Sequence, residues 1–528
     1  MTTKHGSEPR GLLAVSAQVE RGPIKGEFGC SRFGRLFAAS SATFADDDLK
    51  ELAKRMVASF DQPKDGQDAE ESGIPALFTY FGQFIDHDLT FDPEPNFKKI
   101  KDAHAVVDFR TPAFDLDNVY GRGKDDQPYM YDGIHFLLGT KILGGSPHGA
   151  HAHDLPRNAL GRALIGDPRN DENSIVSQLQ GLLLRFHNRA IDEIRSLDKD
   201  FNQAQRLVRD HYQYVVINDF IPRIVSNGVL ATLKGGDHWD IGKLKLFLQE
   251  DLDNPFMPVE FSVAAYRLGH SMVRPGYRLN DGVLEAIFPV HRDTGINFPE
   301  GLTGFRPLIT DWAIDWSRFI NIEEREYGPN PDETAKPTQK QQREMYRRLQ
   351  FAYKIDTSLV DPLGSLPMTV AGDKPLSLAE RNLKRGAQFS LPTGQEAAQV
   401  IGLTPLDDDH ILIGKAVQGE TSVPISSIAN GAFNGKCPLW TYILAEAMQN
   451  VADIDIPVKS AMVKVPTPQL GPVGGRIVAE TFLALLAGDK RSFLMQSPDW
   501  KPNGAQFGLR EFIMYALGDE SIQLSPRP

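Results

Sequence analysis

The segment Phe78 to Thr90 (FTYFGQFIDHDLT) sets one histidine, one glutamine and two aspartates into an otherwise apolar run. If that run is helical, Gln83 and His87 lie four residues apart on one face, and Asp86 and Asp88 flank His87 on either side. A histidine so placed can carry a proton, and carboxylates buried in such a helix need a metal, a cofactor or a counter-charge. The same spacing fits a helix end whose carboxylates stand in water. Farther on, the stretch TPAFDLD puts oxygen-bearing groups at Thr111, Asp115 and Asp117, with the Ala113 carbonyl between them. Hard oxygen ligands at that density suit Ca²⁺, which takes about 6–8 of them. The loop is not an EF-hand, because the sixth position from Asp115 is Tyr120 rather than glycine and the twelfth is Asp126 rather than glutamate.

Three further segments carry candidate groups. In Gly166 to Glu172 (GDPRNDE), Arg169 and Glu172 stand just ahead of a helical pattern, where acidic residues could simply complement a helix start. Phe261 to Pro275 holds one histidine, His270, in an apolar helical run, and on that fact alone a core histidine is the simpler reading. Leu378 to Gly386 contains Asn382 and Arg385. No GxxxxGK[ST], HExxH, GxSxG or strand-led GxGxxG is present, so the corresponding phosphate, zinc, serine-hydrolase and dinucleotide chemistries lack their motifs. His148, His151 and His153 could bind a metal, but they lie in a Gly- and Pro-containing stretch expected to be a solvated loop.

GQFIDHDLTF and RTPAFDLDNVYG resemble the distal-helix and calcium-loop motifs of the animal haem peroxidases, the family of myeloperoxidase and lactoperoxidase. The resemblance implies that Gln83 lines the distal pocket and His87 is the acid–base. It implies that Asp86 is esterified to haem, and that Asp88, Thr111, the Ala113 carbonyl, Asp115 and Asp117 bind calcium. GDPRNDE resembles the family's GDxRxxE, which makes Arg169 the distal arginine and Glu172 the second ester carboxylate. Phe261 to Pro275 resembles the proximal segment, with His270 as iron ligand and Arg267 three residues before it. LAERNLKRG resembles N-x-x-R-G, so Asn382 would accept from the Nδ1 proton of His270 and Arg385 would pair a haem propionate. Arg185 to Arg189 (RFHNR) resembles the REHNR signature, with His187 structural, and Leu470 to Ala479 resembles a late helix start. The likeness thus runs from about residue 40 to about residue 500. Asn173 departs from the pattern: myeloperoxidase has methionine there, so a sulfonium link to haem is unavailable, which counts against chloride oxidation.

The implied protein binds haem b, ester-linked through Asp86 and Glu172, and Ca²⁺. It reduces hydrogen peroxide and oxidises a halide, a pseudohalide or a small organic donor. Two rivals stand beside it. A fatty-acid dioxygenase of the cyclooxygenase-like branch would place a radical-forming tyrosine three residues before the proximal histidine, where this chain has Arg267, with Tyr266 one further back. A non-catalytic calcium-binding protein on the same scaffold is the other.

The elements that must position these groups are mostly helical. Periodicity predicts helices over Asp48 to Phe60, Ser174 to Leu197, Phe201 to Phe220 (with Pro222 just beyond its end) and Gln341 to Ile355. Strand-like alternation is confined to pieces such as Arg278 to Ile287 and Ile411 to Val417. The expected architecture is mainly α: a single large helical domain of the animal haem peroxidase type with little β-structure. It comprises a mobile N-terminal arm over 1–40, a catalytic domain over 41–515 and a tail over 516–528. Tyr327 to Thr338 is the expected exposed loop. The 528 residues carry a formal charge of −12, which disfavours nucleic acid and anionic membrane as partners. Cys30 and Cys437 form neither a CxxC pair nor a disulfide framework. No membrane span and no signal peptide is read, so a monomer in the cytoplasm, or one exported without a leader, is expected.

Overall fold

A computed structural model describes residues 22–26, 29–66, 68–90, 112–144, 151–195, 201–292, 295–323, 348–417, 421–458, 461–502 and 507–527. Its strands include, in chain order, β1 (Gly22–Gly26), β2 (Gly29–Arg35), β3 (Glu71–Pro75), β4 (Met257–Pro258), β5 (Gly276–Arg278), β6 (Leu284–Ala286), β7 (Phe351–Tyr353), β8 (Val451–Val458) and β9 (Ala461–Pro468). The helices that matter for the site are α1 (Asp46–Arg55), α2 (Leu77–Leu89), α3 (Ser174–Arg195), α4 (Phe201–Val215), α5 (Leu378–Gln388), α6 (Leu439–Ala447), α7 (Pro472–Gly488) and α8 (Leu509–Leu517). Every sheet has two or three strands, so helices carry the architecture. One continuous apolar core runs from Phe33 to Ala516, which makes a single body of the mainly α class expected from the sequence. Among the described residues, no helix is long and apolar enough to cross a membrane.

The core is organised by α7. It is buried on every side from Val473 to Ala487, which an amphipathic surface helix could not be. The Phe482 ring lies 5.0 Å from Phe114, 5.6 Å from Phe261 and 5.5 Å from Tyr266, measured between centroids. One side chain therefore fixes both the loop that begins at residue 112 and the segment leading to His270. The helix α3 starts where Asn173 Oδ1 accepts from the amides of Ile175 (3.1 Å) and Val176 (2.9 Å), an N-cap interaction. It packs on α8 through Phe186 stacked on Phe512, with ring centroids 4.2 Å apart.

A buried ion pair ties the two halves of the site together. Glu71, on the strand leading into α2, accepts from Arg274, four residues past His270, and from Arg348. Burial works to raise the Glu71 carboxyl, yet Arg348 and Arg274 hold it below the usual carboxylate range.

Three sequence expectations are corrected. The region Gln341 to Ile355 is not a helix where it is described: β7 pairs with β3 across it, and residues 341–347 lie outside the described set. The helix expected to stop at Phe220 does not stop. It passes through a π-turn, Val216–Phe220, into a further helical turn, Ile221–Ile224, that contains Pro222. A π-turn releases a carbonyl from the i→i−4 ladder, which accommodates a proline without an N–H. The expected arm docks from Phe33 onward, because β2 pairs with β4 and Phe33, Leu36 and Phe37 enter the core. Residues 1–21 and the expected loop Tyr327 to Thr338 lie outside the described residues.

Candidate functional site

The helix α2 is buried from Leu77 to Phe81, and beyond that only Gly82, Gln83 and Asp86 come partly to the surface, followed by Thr90 at its end. Their spacing makes one accessible stripe on an otherwise interior helix. Onto this stripe folds the turn Pro168–Asp171, capped by Asp167, whose Oδ1 accepts from the Arg169 amide at 2.8 Å. The Arg169 guanidinium holds Asp167 at 2.9 Å and donates to the carbonyls of His87 (3.2 Å) and Thr90. These are carbonyls at the C-terminal end of α2, where a cation also meets the negative end of the helix dipole. His87 is buried, with Nδ1 2.7 Å from Asn170 Oδ1 and Nε2 3.4 Å from Glu172 Oε1. Gln83 donates to the same Glu172 oxygen and accepts from Asn173 Nδ2 at 3.1 Å. Gln83, His87, Arg169 and Glu172 thus converge, and Asn173 is both helix cap and partner of Gln83.

On the opposite side of α2, Asp88, Asp115 and Asp117 are all buried, and their carboxylate oxygens lie within 4.8 Å of one another. Leu116 sits at φ 55°, a left-handed turn that lets two aspartates two residues apart face one point. Asn118 Nδ2 donates to the Phe84 carbonyl at 3.1 Å and so fastens this loop to α2. A methyl at Gly166 would meet the carbonyl oxygens of Asp117 and Asn118 at 2.6 Å, so only glycine lets the arginine turn abut the aspartate loop. Ala113 is buried at the start of this loop; Thr111 lies outside the described residues.

The segment around His270 is a short helix, Val259–Val263, followed by the 3₁₀ turn Ala265–His270, rather than one helical run. It packs on α2 through the Tyr266 hydroxyl, which donates to the Gly82 carbonyl at 3.2 Å. Burial and then the charge of Asp86 push the Tyr266 phenol well up. Burial, aided by Arg267, pushes the His270 imidazole down to about 3, and the ring is neutral at ordinary pH. Its Nδ1 lies 2.9 Å from Asn382 Nδ2. With the amide in that orientation Asn382 donates to Nδ1. Acceptance from an Nδ1 proton, as the sequence resemblance implies, needs the amide turned by half a rotation. Arg267 donates to the Ser262 carbonyl at 2.9 Å, and the Arg385 guanidinium lies 5.7 Å from the Phe389 ring centroid; neither is among the groups that meet at His87.

Two further histidines have contacts away from this site. His187 is fully buried between the Tyr120 hydroxyl (3.0 Å) and the Ile134 carbonyl (3.1 Å). His153 contacts the His151 carbonyl at 2.8 Å, and His148 is outside the described residues. Asp167 and Asn170 are functional candidates that residue type alone did not single out. Both lie inside the GDPRNDE segment, but nothing in one sequence tells which of its polar residues turns toward a histidine more than eighty positions away.

Residues 103–298 match the family model for animal haem peroxidase. Human (Homo sapiens) thyroid peroxidase is 24% identical over 264 residues, which cover 48% of this chain and 24% of that protein. The matched region spans about a quarter of the length of the first curated relatives. Peroxidase A from Dictyostelium discoideum superposes with a TM-score of 0.53 at 16% identity, over 94% of this chain and 91% of that one. The Oryza sativa fatty acid α-dioxygenase, solved with palmitic acid, gives 0.52 at 15% identity, over 95% and 87%. At such identities these two likenesses are of fold. Over residues 103–298 the chain is thus similar to the animal haem peroxidases, and its fold is like that of peroxidase A and of the fatty acid α-dioxygenase.

Proposed function

We propose that this protein is a haem-dependent peroxidase that reduces hydrogen peroxide and oxidises a halide, a pseudohalide or a small organic donor. What supports this reading is the meeting of Gln83, His87, Arg169 and Glu172 on the accessible stripe of a buried helix whose Gly82 carbonyl takes the Tyr266 hydroxyl, four residues before His270. The donor set suits the cofactor: with the Asn382 amide turned so that Oδ1 accepts the Nδ1 proton, the neutral His270 imidazole would offer its Nε2, and Asp86 and Glu172 bring carboxylates to the stripe. Haem b bound there would supply an iron that accepts two oxidising equivalents from peroxide.

The chain's own groups do the rest. His270 would ligate the iron, Asp86 and Glu172 would tether the ring as esters, and Arg385 would pair a propionate. Arg267, three residues before His270, would join the residues that bind the cofactor. A neutral asparagine leaves the His270 imidazole less anionic than a carboxylate would, which favours a stronger oxidant. His87 takes the proton from one peroxide oxygen and returns it to the other. Gln83 orients the peroxide, and the Arg169 charge stabilises the negative charge that develops on the departing oxygen. Asp88, Asp115 and Asp117, with the Ala113 carbonyl and Thr111, would hold Ca²⁺ directly behind His87 and fix its register.

The test is stopped-flow mixing of the haem-loaded protein with peroxide. His87→Leu should slow the first spectral change by about 10²–10⁴, and equal rates in the two proteins would overturn the assignment. The fold likeness to the α-dioxygenase favours a second reading, oxygenation of a fatty acid. Rapid oxygen uptake with linoleate, without peroxide consumption, would select it.

A further inference from the structure

We infer that Asn170 sets the tautomer of His87, through a buried amide relay ending on Gln180, so that Nε2 is the nitrogen with the free lone pair. The inference deepens the peroxidase reading and rests on it for its catalytic meaning, though not for its geometry. Asn170 is fully buried, on the same turn as Arg169. Its Nδ2 donates to Gln180 Oε1 at 2.8 Å, and its Oδ1 lies 2.7 Å from His87 Nδ1. With the amide nitrogen spent on Gln180, an oxygen faces the ring, and a carbonyl oxygen can only accept. Nδ1 therefore carries the single proton of the neutral imidazole, and Nε2 keeps its lone pair.

The separation supports this assignment, since 2.7 Å sits at the short end of the N–H···O range. Turning both amides by half a rotation would place Nδ2 against Nδ1 and move the ring proton to Nε2. At the far end the turn merely exchanges an unpartnered Gln180 Nε2 for an unpartnered Oε1, so the contact at the ring carries the assignment. Nε2 faces Glu172 Oε1 at 3.4 Å, longer than a good N–H···O bond, and that oxygen already accepts from Gln83, so the shorter contact at Nδ1 takes the ring proton. A proton at Nε2 would block its acceptance of one from a peroxide. Asn170 acts through His87 and is a positioning residue. A neutral amide suits the task, because it orients the ring without stabilising the imidazolium as a carboxylate would, and His87 must give the proton back.

The experiment reads the tautomer directly. The full-length chain is produced without haem and with ¹⁵N-labelled histidine, and two-bond ¹H–¹⁵N spectra are recorded at alkaline pH, where imidazole is neutral. His87 is assigned by its absence in His87→Gln. Wild type should show a protonated Nδ1 and a bare Nε2. Asn170→Leu, close to isosteric but without an acceptor, should shift the ring to the Nε2-protonated form, and Asn170→Asp should keep the wild-type pattern. In haem-loaded protein, N170L should slow the reaction with peroxide by about 10²-fold and leave donor oxidation unchanged, with N170D restoring the rate to within about tenfold. Should N170L fail to fold, Gln180→Leu breaks the next link and the same spectra are read. A wild-type His87 protonated at Nε2, or a tautomer unmoved by N170L and Q180L, would overturn the relay. If the tautomer moves as expected but the wild type takes up no haem or leaves peroxide unreacted, the peroxidase reading falls and the relay stands.

Discussion

Three carboxylates packed behind the proposed catalytic histidine should make the protein's stability answer to calcium. Oxygens of Asp88, Asp115 and Asp117 lie within 4.8 Å of one another in a buried pocket. At that separation, with an effective dielectric constant of about 20, each ionised pair repels by roughly 3 kcal/mol. A divalent cation replaces repulsion with attraction. At free Ca²⁺ about a thousandfold above its dissociation constant, binding stabilises the folded state by about 4 kcal/mol. Unfolding entropy scales at about 2.1 cal/mol/K per residue, so for 528 residues that stabilisation is worth roughly 4 °C in melting temperature. The assay is calorimetry of the protein in excess Ca²⁺ and after exhaustive chelation, with metal content checked by elemental analysis. Asp117→Asn separates the mechanism from a nonspecific salt effect. It should abolish the calcium response, yet the chelated variant should be no less stable than the chelated wild type, because one charge has left the repelling cluster. A melting temperature unchanged by chelation, together with a D117N protein that responds to calcium like wild type, would refute the reasoning.

Two further outcomes follow from the joints around the site. Gly166→Ala forces a methyl to within 2.6 Å of two backbone carbonyls, neither of which can swing aside like a side chain. Overpacking of this kind should cost about 1–3 kcal/mol, read as a lower denaturation midpoint, together with a weaker calcium response as the arginine turn lifts off the aspartate loop. Glu71→Gln leaves Arg274 and Arg348 buried without their carboxylate and should cost about 3–5 kcal/mol. The folded-state pKa of Glu71 is held below its ordinary value, so its contribution is present above the ordinary carboxylate pKa and is lost as pH falls through the folded one. The gap between wild type and E71Q, followed by urea midpoints, should therefore narrow under acid conditions and be constant near neutrality.

What the sequence disclosed and what it hid divide along the range of the interactions. The helices α3 and α4 were legible because their apolar spacing is local, and His87 with its flanking aspartates drew notice because ionised groups in an apolar run need partners. The alternation of Asp115 and Asp117 was a local signal of a cation loop as well, whereas the joining of Asp88 to them came only with the family resemblance. The strand β7 was missed although Leu349, Phe351, Tyr353 and Ile355 alternate, a period of two that a strand requires. Its partner, β3, lies far back in the chain, and no local pattern names that partner.

Asn170 was hidden more deeply still. Its type is common, its neighbours are equally polar, and its importance is created wholly by the approach of His87. That approach is not made by Asn170. It follows from Gly166 meeting the aspartate loop, from Arg169 closing the end of α2, and from Asn118 holding the Phe84 carbonyl. Each of these joins a different pair of motifs, so the distal groups form one rigid unit only when all three are made. A motif therefore marks which residues can do chemistry, while the residues between motifs decide whether those groups meet. For this chain, variants at Gly166 and Asn118, which touch none of the reacting groups proposed here, should disturb His87 as surely as variants beside it.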